Sequence, residues 1–213
     1  RGLVGSEMCI RDRSYDDNGE VEQLVIYLKD RNYNLTLELH YYVYEKCDII
    51  TRSAKLVNSG NESVRLERLM SMQLDLNESD YELSFFNGAW AREMNRSRIP
   101  IRAGKYVNES VTGTSSNRAN PFFMIGRSST TEDYGECYGF NLIYSGNHYE
   151  AAQVNSYGKL RLVSGINPAT FSYIIEAGKC FEAPEAVLTY SYKGYNRMSH
   201  NMHEFVRKHI VRG

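Results

Sequence analysis

The chain has 213 residues and a formal net charge of -1, with 42% hydrophobic and 24% charged residues, the balance of an ordinary globular protein. Acidic and basic side chains are interspersed, so the charge pattern predicts neither a nucleic-acid partner nor binding to an anionic membrane. No apolar stretch approaches the roughly 18 to 20 residues that cross a bilayer, so no membrane partner is expected.

The first segment of the chain does not read as part of a domain. Residues 2–13, from Gly2 to Arg13, resemble the translation of a sequencing-library adapter in one reading frame. We therefore predict that residues 1–13 are non-native, and we exclude them from structural reasoning because fusion scars carry no information about the fold. The domain is then expected to begin at Ser14, without its native amino terminus.

From Val21 onward the sequence has the pattern of successive β-strands. Leu35, Leu37 and Leu39 alternate with polar residues, a two-residue period that is typical of a half-buried strand. Turn clusters rich in Asn, Asp and Gly separate the runs, which favours antiparallel pairing. We predict about nine strands and an all-β fold, a large antiparallel β-sandwich (supersandwich) over 14–193. The runs lie at 24–28, 35–41, 49–57, 64–76, 82–86, 138–144, 160–165, 171–175 and 186–190.

Residues 88–120 are rich in Arg, Asn, Ser and Gly, and we predict a long functional loop there. The loop holds Trp90, the only tryptophan, beside Arg92 and Glu93. An indole face can stack on a sugar while charged neighbours bind its hydroxyls, so these three residues are candidate substrate-binding residues. The alternative, which follows the common use of buried Trp, is that Trp90 packs in a domain seam and that Arg92 and Glu93 form structural ion pairs.

Other polar residues have simpler interpretations. Asn117, Arg118 and Asn120, in the second half of the same stretch, are interpreted as a domain or subunit interface. His200 and His203 lie one turn apart and resemble metal ligands, but a zinc site needs further ligands than this segment offers. No metal site and no cofactor are predicted.

Only at the end of the chain does the spacing of apolar residues change from the two-residue period of strands to the period of a helix. Residues 194–213 are predicted to be a linker and the start of a helix, with Ser199 as the N-cap. The predicted sandwich offers this helix no obvious surface to bury against, so we expect it to lead into a further domain. The apolar face of the helix is expected to carry Met198, Met202, Phe205, Val206, His209 and Ile210.

Several short motifs follow one another in a fixed order. They are Gly88-Ala89-Trp90-Ala91-Arg92-Glu93, Gly113-Thr114-Ser115-Ser116, Asn120-Pro121-Phe122-Phe123, Gly135-Glu136-Cys137-Tyr138-Gly139-Phe140, Tyr144-Ser145-Gly146-Asn147, Gly165-Ile166-Asn167-Pro168 and Ala183-Pro184-Glu185-Ala186-Val187. In this order and at this spacing they resemble the amino-terminal domain of glycoside hydrolase family 36. The resemblance covers nearly all of 14–213.

The resemblance implies an α-galactosidase that removes terminal α-linked galactose from raffinose- or melibiose-type oligosaccharides. In the family, a β-sandwich precedes a (β/α)8 barrel whose two aspartates carry out a retaining double displacement, with carboxyls roughly 5 to 5.5 Å apart. Both aspartates are expected beyond Gly213, and a sugar-contacting Asp and Arg of the family's sandwich are expected before Ser14. The chain is therefore expected to support its own barrel and a homo-oligomer, tetrameric in many relatives, without being catalytic. A cytoplasmic, bacterial location is expected.

Two alternatives from other functional classes stay open at this point. One is a free-standing carbohydrate-binding β-sandwich, which would bind galactose or raffinose by itself. The other is an epimerase-like sandwich enzyme with its own His and Glu catalysts, which requires an acid and a base that converge on one concave face.

Overall fold

The structure, a computed structural model, describes Ser14, Gly19 and residues 21–211, so the predicted adapter segment 1–13 lies outside the described residues. In this part of the chain it has fifteen strands and one long α-helix. The strands are β1 (Glu22–Lys29), β2 (Leu35–Tyr44), β3 (Ile49–Asn58), β4 (Val64–Leu66), β5 (Met70–Leu76), β6 (Glu82–Ala89), β7 (Arg92–Pro100), β8 (Gly104–Glu109), β9 (Ala119–Gly126), β10 (Cys137–Ile143), β11 (His148–Val154), β12 (Leu160–Ile166), β13 (Tyr173–Ile175), β14 (Cys180–Glu182) and β15 (Glu185–Ser191), and the helix is α1 (Gly194–His209).

The strands form two packed sheets and a small accessory pair, all antiparallel. The large sheet has the order β1-β2-β3-β15-β10-β9-β6-β7, with β14 paired to β3. The second sheet has the order β5-β12-β11-β8, and β13 pairs with β4. The predicted all-β antiparallel sandwich is therefore confirmed.

The main core lies between the two sheets. Phe123 and Phe140 of the large sheet stack with ring centroids 4.7 Å apart, and they share one buried cluster with Leu160 and Leu162 of the second sheet. Alternate residues of each strand point inward, which is why these apolar side chains recur at every second position.

The opposite, outer face of the large sheet is covered by α1. Met198, Met202 and Phe205 of the helix belong to one buried cluster with Met124 of β9 and Val187 of β15. The predicted apolar face of the helix is thus confirmed for its central residues, whereas the prediction that it has no surface to bury against is wrong. The large sheet has two apolar faces in this region, and the sequence period of a strand does not show which partner covers the second face.

The helix also begins earlier than predicted. It starts at Gly194, after Lys193 at the N-cap position, and Ser199 lies inside the helix, so the assignment of Ser199 as the N-cap is wrong. Gly194 adopts φ 73°, and a Cβ there would lie 2.5 Å from the carbonyl oxygen of Glu132. A glycine is needed at this helix start because neither the backbone conformation nor the close approach tolerates a side chain.

The predicted long loop at 88–120 is the largest error in the strand assignment. Most of it is β-structure, because β7 pairs with β6, and β8 pairs with β11. β7 is the edge strand of the large sheet and is exposed over most of its length, so it lacks the apolar alternation from which strands were predicted. β11 was missed for the opposite reason, because five consecutive residues of that strand are buried.

Two further findings concern the whole described region. None of its helices combines the length and the apolar character needed to cross a membrane.

The single strand run predicted at 64–76 is two strands, β4 and β5, which belong to different sheets.

Candidate functional site

The two groups of polar residues singled out in the sequence meet at one corner of the large sheet. Trp90 and Ala91 form the turn between β6 and β7, and the segment before β9 lies beside that hairpin. The amide of Asn87 donates to the carbonyl oxygen of Arg118 over 3.1 Å, and the amide of Asn120 approaches the sulfur of Met94 at 3.6 Å. We call the residues 90–94 and 117–120 together the hairpin rim.

Backbone geometry fixes the shape of the rim. Ala91 and Met94 adopt φ of 59° and 56°, the left-handed region that costs most side chains on the order of 1 kcal/mol or more. The pairing of β6 with β7 shifts between Asn87 and Ala89, which marks a bulge at Gly88. A Cβ on Gly88 would lie 2.8 Å from the carbonyl oxygen of Arg92 and 3.0 Å from that of Asn117. Glycine at this position therefore lets the hairpin and the neighbouring segment pack together.

The indole of Trp90 points away from the core of the described chain. Trp90 is 92% exposed, and its neighbours Arg92 and Glu93 are exposed as well. Within the described residues, the indole is therefore not buried in a seam, and both of its predicted roles require a partner outside this part of the chain. An exposed indole offers a flat apolar face with one N–H donor, which suits a sugar ring or another protein surface.

An apolar groove runs from the rim to α1. Its cavity volume is about 570 Å³, and its wall from the sheet includes Phe86 and Phe122, whose rings pack 5.8 Å apart. The helix contributes the opposite wall. The apolar lining residues include Phe86, Met94, Phe122, Met202, Val206 and Ile210.

The charged groups beside this groove are paired. Arg96 lies 3.4 Å from the carboxylate of Glu132, with its guanidinium 4.6 Å from the centroid of the Tyr195 ring, and Arg98 pairs with Glu82. Burial raises the pKa of Tyr195, while the two arginines act against that shift. Arginines held in this way position the strand and the aromatic ring, and this arrangement suits binding and support better than proton transfer.

The sequence reasoning missed a second polar site on the outer face of the large sheet. The buried carboxylate of Glu185 accepts hydrogen bonds from the backbone N–H of Ser14 at 2.7 Å and from the Ser14 hydroxyl at 2.8 Å. The Thr51 hydroxyl donates to the same carboxylate, and Tyr42 and Tyr44 line the adjoining cavity of about 270 Å³. A Glu after Pro184 in a run that otherwise reads as a buried strand is the signal that could have marked this site.

The two histidines of α1 that resemble metal ligands lie on the surface. His200 and His203 are exposed, and the carboxylate of Glu204 pairs with Lys208 over 2.6 Å. In the described part of the chain, no group of three or more His, Cys, Asp or Glu side chains is arranged to hold a metal ion.

Comparisons with known proteins point in one direction. The sequence profile of the Glycosyl hydrolase family 36 N-terminal domain matches residues 11–176. Alpha-galactosidase AgaA of Geobacillus stearothermophilus is 40% identical over 194 residues, and Alpha-galactosidase 1 of Pediococcus pentosaceus is 37% identical over 197 residues. These alignments cover 91% and 92% of this chain but 27% of each relative.

The same similarity holds at the level of the fold. The crystal structure of an AgaA variant from Geobacillus stearothermophilus in complex with stachyose superposes with a TM-score of 0.91 at 39% identity. The superposition covers 93% of this chain and 28% of that protein. The chain thus spans little more than a quarter of the proteins that it resembles.

Proposed function

Because the chain belongs to glycosyl hydrolase family 36 as an N-terminal domain, we propose that it is the β-sandwich of an α-galactosidase and that it supports catalysis performed elsewhere in that enzyme. The enzyme would hydrolyse terminal α-galactosyl residues of oligosaccharides such as stachyose and raffinose. The reaction would follow the retaining double displacement, with one carboxylate as nucleophile and one as acid and base.

The observation that carries this proposal is the match of nearly the whole chain to one domain of a sugar-bound α-galactosidase, at a TM-score of 0.91. The carboxylates buried within this sandwich are a poor basis for independent catalysis. The carboxylate of Glu185 accepts hydrogen bonds from two neighbouring residues, Ser14 and Thr51, and Glu150 is 2% exposed between the sheets. A glycosidase carboxylate has to reach a sugar bound in a cleft.

The exposed features fit a supporting role. The hairpin rim presents Trp90, Arg92 and Glu93 outward from a strained turn, so we propose that the rim contacts another domain, another subunit or the bound sugar. Asn117, Arg118 and Asn120 form the base of the same rim, and we propose that they belong to that interface. A homo-oligomer would bring the rim of one subunit to its neighbour.

The direct test is an assay of the purified chain with an aryl α-galactoside. The proposal predicts no hydrolysis above the rate with buffer, because the catalytic pair belongs to another part of the enzyme. Measurable turnover that is lost on Glu150→Gln or Glu185→Gln would contradict the proposal, because the sandwich would then carry catalysts of its own.

A second measurement separates the alternative of an independent sugar-binding module, which the exposed indole of Trp90 favours. Calorimetric titration of the chain with raffinose is expected to give no tight binding. Tight binding that disappears in Trp90→Ala but persists in the matched variant Tyr157→Ala would support the binding module instead. Tyr157 is a suitable control because it is 86% exposed in a turn far along the chain.

A further inference from the structure

A group of polar side chains is buried inside the sandwich, between the two sheets. His148 and Glu150 of β11 are 0% and 2% exposed, and Ser164 of β12 is 1% exposed. Both ring nitrogens of His148, Oε1 of Glu150 and Oγ of Ser164 are buried without a hydrogen-bond partner among the described residues. Buried polar atoms are almost always satisfied, so four orphan atoms in one region require an explanation.

Strand register places these groups next to one another on the inner face of the second sheet, and we call this cluster the polar chamber. Glu150 is paired with Ser164 on β12 and with Asn108 on β8, and directly opposed residues in antiparallel strands have Cβ atoms roughly 4.5 to 5.5 Å apart. His148 lies two residues from Glu150 on the same strand and therefore on the same face. Ala152, two residues further along that face, belongs to the apolar core. The inner face of β11 is thus polar at one end and apolar at the other.

We propose that His148, Glu150 and Ser164 enclose an internal water site in the core of the sandwich. Water fits because it both donates and accepts, so it can bond to a ring nitrogen of His148 and to Oε1 of Glu150 whichever of these groups carries a proton. A buried water molecule in a protein makes about three hydrogen bonds to groups that are otherwise unsatisfied.

The charge state of the chamber favours water over an ion. Burial lowers the pKa of His148 to about 4, and burial also raises the pKa of Glu150 well above its usual value. The His148 ring is therefore neutral near pH 7, and burial disfavours the charged form of Glu150. Among the strands packed against β11, β8 presents Tyr106 to this face, while the inward residues of β12 and β9 are not titratable. Nothing on these faces supplies a counter-charge for a bound ion.

The chamber is connected to the hairpin rim by one side chain. The amide of Asn108 donates to Oε2 of Glu150 at 2.8 Å and to the carbonyl oxygen of Asn120 at 2.8 Å. Asn120 in turn contacts Met94 of the rim. Water that holds Glu150 in place therefore also helps to fix the strand on which the rim is built.

The test is a high-resolution crystal structure of the unaltered chain. Ordered water within hydrogen-bond distance, roughly 3.2 Å, of a His148 ring nitrogen and of Oε1 of Glu150 is the expected result. A dry chamber, or a direct hydrogen bond between His148 and Glu150 that leaves no room for water, would overturn the proposal.

A thermodynamic cycle supplies an independent readout. If water links the two side chains, His148→Phe and Glu150→Leu each lower the folding equilibrium constant. The double variant should then lower that constant about tenfold less than the product of the two single effects. The matched pair His148→Phe and Tyr149→Phe is expected to be additive, because Tyr149 lies on the other face of β11. Additive effects for His148 and Glu150 would count against a shared water site. Should the double variant not fold, Glu150→Gln takes the place of Glu150→Leu.

Discussion

At the scale of single residues, the turn of the hairpin rim holds an alanine in a conformation that glycine prefers. Ala91 has φ 59°. We expect Ala91→Gly to raise the free energy of unfolding by about 1 kcal/mol, because the relief of left-handed strain exceeds the added entropy of the unfolded chain. Chemical denaturation of both proteins measures this difference. Ala89→Gly, at an exposed strand position of the same hairpin, is the control and should lower the free energy of unfolding. If both variants lowered the free energy of unfolding equally, the turn at Ala91 would be unstrained.

His148 gives the chain a specific sensitivity to acid. Burial lowers its pKa to about 4, against about 6.5 in an unfolded chain. As the pH falls from about 6.5 to about 4, the unfolded chain takes up the proton first, so the free energy of unfolding decreases by up to about 3 kcal/mol. Above pH 6.5 the ring is neutral in both states and contributes no pH dependence.

Urea unfolding at a series of pH values measures this effect. His148→Phe should flatten the loss of stability between about pH 6.5 and pH 4 relative to the unaltered chain, whereas His200→Phe, at an exposed position on α1, should not. Glu150 acts in the opposite sense, because its raised pKa makes stability fall as the pH rises. Glu150 is present in both variants, so its own titration contributes to both curves. If the two variants lost the same free energy of unfolding between about pH 6.5 and pH 4, His148 would not be the source of the acid sensitivity.

At the scale of elements, α1 is an integral part of the domain. Phe205 is 1% exposed, and its ring packs 4.9 Å from that of Tyr44 on β2. We expect Phe205→Ala to lower the free energy of unfolding by about 3 to 5 kcal/mol, as is typical of a fully buried Phe. Arg207 lies two residues further along the helix and is exposed, so Arg207→Ala should change the free energy of unfolding by less than about 0.5 kcal/mol. A small effect of Phe205→Ala in thermal or chemical unfolding would mean that the helix is only loosely attached.

The edge strand β1 is the element most exposed to self-association. Leu24 and Leu28 are 57% and 51% exposed, and β1 has a paired neighbour on one side only, among the described strands. Exposed apolar edges are sites of association with other chains. Leu28→Lys should therefore reduce the aggregated fraction in sedimentation velocity. The control Tyr157→Lys, which removes a more exposed apolar ring from a turn, should leave that fraction unchanged. An unaltered chain that sediments as a monomer with a sharp melt would contradict this prediction.

The sequence predicts β2 and α1 because the apolar residues of each element recur at a regular spacing. The alternation of Leu35, Leu37 and Leu39 led to β2, and the spacing of Met198, Met202 and Phe205 led to α1. The strands β7 and β11 escaped prediction because one is exposed on both faces and the other is buried on both, so neither has a two-residue period. For the site, Trp90 and Asn120 could be singled out by residue type, but their convergence depends on register shifts that no local pattern encodes.

At the scale of the whole molecule, the large sheet is the frame on which every other feature is placed. One face carries the second sheet and its buried polar chamber, and the other carries α1 and the apolar groove. The hairpin rim lies at one corner, where the edge strand β7 meets the segment before β9. Its exposed residues fit contact with further protein or sugar, and its half-buried residues lie beside the turn.

The measurement that tests the central claim most directly is the hydrolysis of an aryl α-galactoside by a chimera. In it, residues 14–211 of this chain replace the aligned segment of AgaA from Geobacillus stearothermophilus, to which the chain is 40% identical. If this sandwich supports catalysis carried out elsewhere, the chimera should hydrolyse the substrate at a rate within about tenfold of AgaA, a loss of at most about 1.4 kcal/mol in transition-state stabilisation. A chimera that folds and assembles as AgaA does but has no activity would contradict the claim.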